Sequence, residues 1–239
     1  MKRILALVLI VILAGCSVAA GPIRPPQGFE GRLWGSTLAL YGTKDKSTHF
    51  LCTAEPIEKT KDGYILLSAG HCVQEVPADV QFSVADEIGG KLTPVTVVKA
   101  YDGDGLDFSI FRLTTTENYT PFDLGTEDGL RVGDRVLNPN FALGLGKQFS
   151  HGVISSQGLS VNPMCDFCAG LFIVQGGGGP GSSGSAVISE KTHKVIGILI
   201  AGAPMGNTGF EVEPISWFAK FMAGPNQPHP PAPPSDQDE

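Results

Sequence analysis

Between Gly176 and Ser185 the chain reads Gly-Gly-Gly-Gly-Pro-Gly-Ser-Ser-Gly-Ser, and the apolar run Ala186-Val187-Ile188 follows at once. Six glycines and a proline in ten residues exclude a helix and weaken any strand. The stretch is therefore a tight loop feeding a buried strand. Glycine lets the backbone turn sharply and lets its N–H groups approach a ligand closely. A serine at such a turn, beside bare amides, has what acyl transfer requires: a nucleophile next to donors that hold an oxyanion. Ser182, Ser183 and Ser185 are the candidates. A plain Gly/Ser connection has the same composition, so the decision rests on whether a base and a carboxylate lie upstream.

Both are present. Leu66-Leu67-Ser68-Ala69-Gly70-His71-Cys72 sets a histidine directly after an apolar strand, in a small-residue turn. Leu106-Asp107-Phe108-Ser109-Ile110-Phe111 carries an acid into an otherwise apolar strand. Alternation places Leu106, Phe108 and Ile110 on one face and Asp107 with Ser109 and Phe111 on the other. An acid buried there is costly without a partner. Paired with His71, it would fix the imidazole tautomer and stabilise the imidazolium. Singly, His71 reads as a turn histidine and Asp107 as an edge-strand charge. Together, in the order His, Asp, Ser, they read as a catalytic constellation.

These segments resemble the chymotrypsin-like, trypsin-fold serine proteases. Ala69-Gly70-His71-Cys72 is similar to that family's Ala-Ala-His-Cys, and Leu106-Asp107-Phe108-Ser109-Ile110 to its Asp-Ile-Ala-Leu strand. Pro180-Gly181-Ser182-Ser183-Gly184-Ser185 resembles the Pro-Gly-Asn-Ser-Gly-Gly of bacterial HtrA-type members, and Gly152-Val153-Ile154-Ser155 a strand that precedes it there. The likeness covers roughly Leu33 to Met222 and implies an all-β fold of two six-stranded Greek-key barrels with the site between them. It implies Ser183 as nucleophile, because Ser183 holds the third place of Gly-x-Ser-Gly, His71 as base and Asp107 as its orienting acid. The backbone N–H groups of Gly181 and Ser183 would form the oxyanion hole. No cofactor and no metal are implied, and the partner is a protein or peptide substrate.

Departures from the family refine these expectations. Ser182 stands where trypsin-type enzymes carry the acid that pairs with a newly released N-terminus, so activity without zymogen cleavage is expected. The resemblance puts Gly177 and Gly178 at the floor of the specificity pocket and Ile200, Ala201 and Gly202 on its wall, which favours a small or medium apolar residue before the cleaved bond. HtrA proteins carry a PDZ domain after the protease; 17 residues follow Met222 here, and a stand-alone protease domain is expected. A catalytically silent binding module of the same fold is the competing reading, which need not retain all three residues. An α/β-hydrolase fails on chain order, which would be Ser, Asp, His.

The N-terminus has a separate role. Lys2 and Arg3 precede the apolar run Ile4–Ala14, too short for a finished membrane span. Residues 1–15 read as a secretory signal ending in Leu13-Ala14-Gly15-Cys16, which resembles the lipobox of bacterial lipoproteins and implies lipidation of Cys16. Residues 16–31 then form a Gly/Pro-rich tether, residues 32–224 the protease domain, divided at about residue 120, and residues 225–239 a disordered Pro-rich, acidic tail. Without the signal, 15 basic residues face 24 acids, a formal charge of −9. That argues against nucleic acid as a partner and against electrostatic membrane binding; the membrane would be reached through acyl chains. Export places Cys52, Cys72, Cys165 and Cys168 in an oxidising compartment. Of the three pairings, Cys52–Cys72 with Cys165–Cys168 is favoured, and the first also matches the disulfide beside the family's catalytic histidine.

Elsewhere, short apolar runs alternate with turn residues, which predicts antiparallel strands. The first series is 38–41, 64–68, 80–84, 95–98 and 108–113. The second is 131–137, 152–155, 171–174, 186–189, 195–200 and 210–212. One helix is expected near the end, with Ile215, Phe218, Ala219 and Met222 on its apolar face, Pro214 in its first turn and Gly224 as its stop.

Overall fold

A computed structural model describes residues 24–103, 106–156, 170–202 and 209–224. The expected signal, Cys16, the expected Cys165–Cys168 pairing and the expected tail fall outside these residues. Among the described residues no helix is long and apolar enough to cross a membrane.

Two closed barrels account for nearly all of the secondary structure. The first contains β1 (Leu38–Lys44), β2 (Ser47–Thr60), β3 (Gly63–Ser68), β4 (Gln81–Ala85), β5 (Thr93–Gly103) and β6 (Leu106–Thr114), in the order β1-β2-β3-β6-β5-β4. The second contains β7 (Arg135–Asn140), β8 (Gln148–Ser156), β9 (Phe172–Gln175), β10 (Ala186–Ser189), β11 (Val195–Gly202) and β12 (Gly209–Pro214), in the order β10-β11-β12-β9-β8-β7. Around each ring the connectivity is the same, and every paired strand is antiparallel. Closure removes the exposed edges that an open sheet of this composition would present. Each expected strand is present, with ends displaced by a few residues.

One strand was absent from the sequence reading. β2 is the longest, yet Thr48, His49, Glu55, Pro56, Glu58 and Lys59 break its apolar pattern. It pairs first with β1 and then, past a bulge at Pro56/Glu58, with β3, so it bends from one side of the barrel to the other. Its central residues Cys52 to Pro56 are all buried, because there the second barrel covers the strand's other face.

Three short helices complete the fold. α1 (Gly28–Ser36) replaces the last part of the expected tether: Leu33 is buried, and the ring of Phe29 stacks on His193 in the β10–β11 turn at 4.2 Å. α2 (His71–Gln74) follows β3, where a turn was expected. α3 (Trp217–Ala223) is the expected terminal helix, with its inward face shifted from Ala219 and Met222 to Phe221. Phe221 is buried and packs with Phe218 against Phe108 of β6, whereas Ala219 and Met222 face solvent. Pro214 closes β12 and does not enter the helix. Buried Lys99 caps the C-terminus of α3, its ammonium donating to the carbonyls of Phe221, Met222 and Gly224, where the helix dipole favours a cation.

Candidate active site

β3 ends at Ser68, and α2 begins with His71, which places the imidazole at the rim of the first barrel facing the second. β6 brings Asp107 alongside. One Asp107 oxygen accepts the main-chain N–H of His71 at 2.7 Å, and the other lies 2.7 Å from Nδ1. With the carboxylate as acceptor, Nδ1 carries the ring proton and Nε2 presents its lone pair to the cleft. Burial pulls the imidazole's affinity for a proton down, but the hydrogen bond and charge of Asp107, with the charges of Glu75 and Asp102, outweigh it and leave the histidine raised above 6.5. The Cys52–Cys72 disulfide lies directly behind, tying β2 to α2. Its two sulfurs and His71 are the only metal-like cluster among the described residues, and an oxidised pair offers no thiolate, so the cluster is structural.

The glycine-rich loop crosses from the second barrel to meet this pair. Gly181 and Gly184 have φ of +92° and +84°, conformations that favour glycine. A side chain on Gly184 would overlap Ser68 and Thr53, and one on Gly181 would overlap the ring of Phe50, so the loop lies directly on β2 and the end of β3. Thr53 holds it there. Its N–H donates to Ser183 O at 2.9 Å, its hydroxyl donates to Gly181 O at 2.8 Å, and the same oxygen accepts Phe141 N–H at 3.2 Å.

The three serines of the loop now separate. Ser182 and Ser185 are fully buried. The hydroxyl of Ser182 closes on Gly179, and that of Ser185 accepts from Asn138. Ser183 alone reaches the cleft surface. The amides of Ser182, Gly184 and Ser185 are engaged by Gly179, Leu199 and Ser182 carbonyls, whereas those of Gly181 and Ser183 donate to no group among the described residues. The amide of Ser183 itself and that of Gly181, two residues before it, are thereby left as a pair of donors at the cleft, a ready anion site. Ser183 Oγ makes no hydrogen bond to His71 among the described residues, and such bonds commonly tighten only when substrate is bound.

The expected pocket residues lie on the other flank of this loop. Gly184 N–H donates to Leu199 O of β11 and Leu199 N–H to Ser185 O, so Ile200, Ala201 and Gly202 continue past the nucleophile. Gly178 is packed on the ring of Phe210, and Gly177 on the side chain of Ser150.

Four acids absent from the sequence reading are raised by burial here, and two of them, Glu213 and Asp102, act on the His71–Asp107 pair. Glu213 of β12 is fully buried, with both carboxyl oxygens about 3 Å from the main-chain nitrogen of Asp107, at 3.1 and 3.0 Å. Burial, followed by the charge of Asp107, pushes it up to about 9, so it is neutral at physiological pH. Glu211, directly across from Ala201 in the β11–β12 register, is raised by burial. Asp102 is raised by burial and then by the charge of Asp107. Glu55 of β2, raised well above its ordinary range by burial, accepts Ala186 N–H across the barrel junction. No periodicity marks these groups, since each meets its partner only when two barrels close on each other.

Residues 52–198 match the family described as trypsin-like peptidase domain. Among solved structures the fold is similar to HtrA-type protease AlgW with tripeptide, at TM-score 0.64 and 22% identity over 82% of this chain and 62% of that one. It is equally similar to HtrA-type protease AlgWS227A with tripeptide, at 0.64 and 21%, with the same coverage. The form with decapeptide aligns at 0.63 and 19%, over 66% of that chain. This chain thus spans a little under two thirds of those structures. No curated protein sequence matches.

Proposed function

The chain belongs to the trypsin-like peptidase domain family, and on that basis we propose that it is a serine endopeptidase acting through Ser183, His71 and Asp107. Ser183 Oγ attacks the carbonyl carbon of the scissile peptide while His71 Nε2 takes its proton. The tetrahedral oxyanion is held by the Gly181 and Ser183 amides, each worth roughly 3–4 kcal/mol. The imidazolium, stabilised by Asp107, returns the proton to the departing amine, leaving an acyl-enzyme on Ser183. Water, deprotonated by the same imidazole, then releases the acyl half and restores the serine.

The observation that carries this reading is the coincidence of three features. His71 has its Nδ1 at 2.7 Å from Asp107, Ser183 is the one serine of its loop that is open to the cleft, and the two amides beside it are unengaged. Hydrolysis of a peptide by the purified chain, lost in Ser183→Ala with the fold retained, supports it; equal turnover by both proteins refutes it.

Specificity and placement belong to the same proposal. The ring of Phe210 over Gly178, with Ile200 and Ala201 beyond, favours a small or medium apolar residue before the cleaved bond. Faster cleavage after Arg than after Ala, Val or Leu would overturn this and would implicate Glu211. The Leu13-Ala14-Gly15-Cys16 segment supports export and lipid anchoring in a bacterial envelope. Incorporation of labelled palmitate, lost in Cys16→Ser, checks it.

A further inference from the structure

The segment that joins β7 to β8 has two neighbours. On one side Leu143 N–H donates to Pro180 O at 2.6 Å, and the Leu143 side chain lies 3.3 Å from where a side chain on Gly179 would begin. On the other side the segment walls a cavity of about 580 Å³, completed by the end of α1 and by the residues after β4. Phe50 joins the two regions. Its ring occupies the space a Gly181 side chain would need and lies 3.4 Å from the Cβ position of Gly144. One surface therefore runs from the oxyanion amide of Gly181 over Phe50 and Gly144 into the cavity. It lies on the flank of the nucleophile loop opposite β11, where the acyl half of a substrate would sit.

We propose that this cavity receives the departing half of the substrate polypeptide, seating an apolar side chain against Trp34, Ile88 and Leu145 and a basic side chain against Asp86 and Glu87. The proposal rests on the peptidase reading above and extends it to the residues after the cleaved bond. Leu145 is 78% exposed beside the half-buried ring of Trp34, an apolar arrangement that a bound side chain would cover. Lys147 is already engaged, donating to Trp34 O at 2.7 Å, and burial pushes its amine down to about 8. Asp86 and Glu87 stand exposed at the rim, Asp86 oriented by the Tyr119 hydroxyl at 2.9 Å. Two outward carboxylates against one inward amine leave a rim that complements a cation. An extended strand advancing about 3.3 Å per residue brings successive departing residues along the surface described above.

Three substrates sharing one acyl half test this: an aminocoumarin amide with no departing peptide, a quenched peptide with Leu and Lys after the cleaved bond, and the same peptide with Asp in place of Lys. The Lys peptide is expected to have about fivefold higher kcat/KM than the Asp peptide, the upper end for exposed charge pairs. Asp86→Asn with Glu87→Gln should erase that difference. Trp34→Ala should lower both peptides about tenfold, as for a buried aromatic anchor, while sparing the coumarin amide. Equal wild-type turnover of the two peptides overturns the proposal, as does a Trp34→Ala loss of equal size on all three substrates. If the wild type cleaves none of them, the peptidase reading fails; the cavity is then read by tryptophan fluorescence on titration with the Lys peptide, in wild type and in Trp34→Ala, which retains only Trp217, and no saturable change that depends on Trp34 overturns it too.

Discussion

Replacing Glu213 by Gln isolates one buried acid and gives a result whose sign is fixed in advance. Glu213 is fully buried, has both oxygens about 3 Å from Asp107 N, at 3.1 and 3.0 Å, and rises from an ordinary value of 4.5 to about 9. A carboxyl raised on folding binds its proton more tightly in the folded state. Its stabilisation is therefore full below 4.5 and declines as pH rises towards 9. At about 1.4 kcal/mol per pH unit, the wild type loses about 3 kcal/mol from this group by pH 7. Gln reproduces the neutral carboxyl in shape and still accepts the Asp107 N–H, but it does not titrate. Urea unfolding from about pH 5 to pH 8 should therefore show variant and wild type nearly equal at the acid end, with the variant increasingly more stable as pH rises. The other titrating groups are common to both proteins and cancel in the difference. Parallel stability curves would refute the reasoning, because Glu213 would then be ionised in the fold. Glu213→Ala makes the complementary point: it strands the Asp107 N–H and, like Gln, does not titrate, so it should lie about 1–3 kcal/mol below Glu213→Gln at every pH.

Three further expectations follow from the same contacts. Since His71 is raised above 6.5, the acid limb of kcat/KM should fall above that value, and an inflection at or below it would contradict the Asp107 pairing. Thr53→Val keeps the shape of the side chain but removes its bonds to Gly181 and Phe141; kcat should fall about tenfold with little change in KM, and an unchanged kcat would show that the oxyanion loop does not depend on β2. Converting Cys52 and Cys72 to Ser reopens a loop with sequence separation 20 and should cost about 3 kcal/mol, read as a drop in Tm of about 6–12 °C.

What the sequence disclosed and what it concealed divide along a physical line. Eleven runs with strand character were legible because β-branched and aromatic residues alternate with turn residues over short spans, and each corresponds to one of β1 or β3 to β12. The loop at Gly176–Ser185 was legible because its composition admits no regular structure. β2 was not, since Glu55 and Thr53 are polar by local pattern and buried only because the second barrel presents Ala186, Gly181 and Ser183 to them. Glu213 was hidden for the same reason: nothing near it in sequence predicts an acid behind Asp107. The terminal helix had the right location and Phe218 faces inward as expected, but Phe221 joins it there while Ala219 and Met222 turn to solvent. A period that admits Met222 as readily as Phe221 cannot register the aromatic stack that Phe108 and Phe218 build. The tether gave way to α1 because Leu33 and Phe29 find their partners only in the folded barrels.

The central claim is that Ser183 is the nucleophile activated by His71, and the most direct measurement is covalent. Wild type, Ser182→Ala, Ser185→Ala, Ser183→Ala and His71→Ala are treated with a fluorophosphonate, and the adduct is mapped by mass spectrometry. One adduct per chain is predicted, on Ser183, retained in Ser182→Ala and Ser185→Ala, absent from Ser183→Ala and far slower to form in His71→Ala. An adduct on another serine, or a folded wild-type protein that never reacts, would contradict the account.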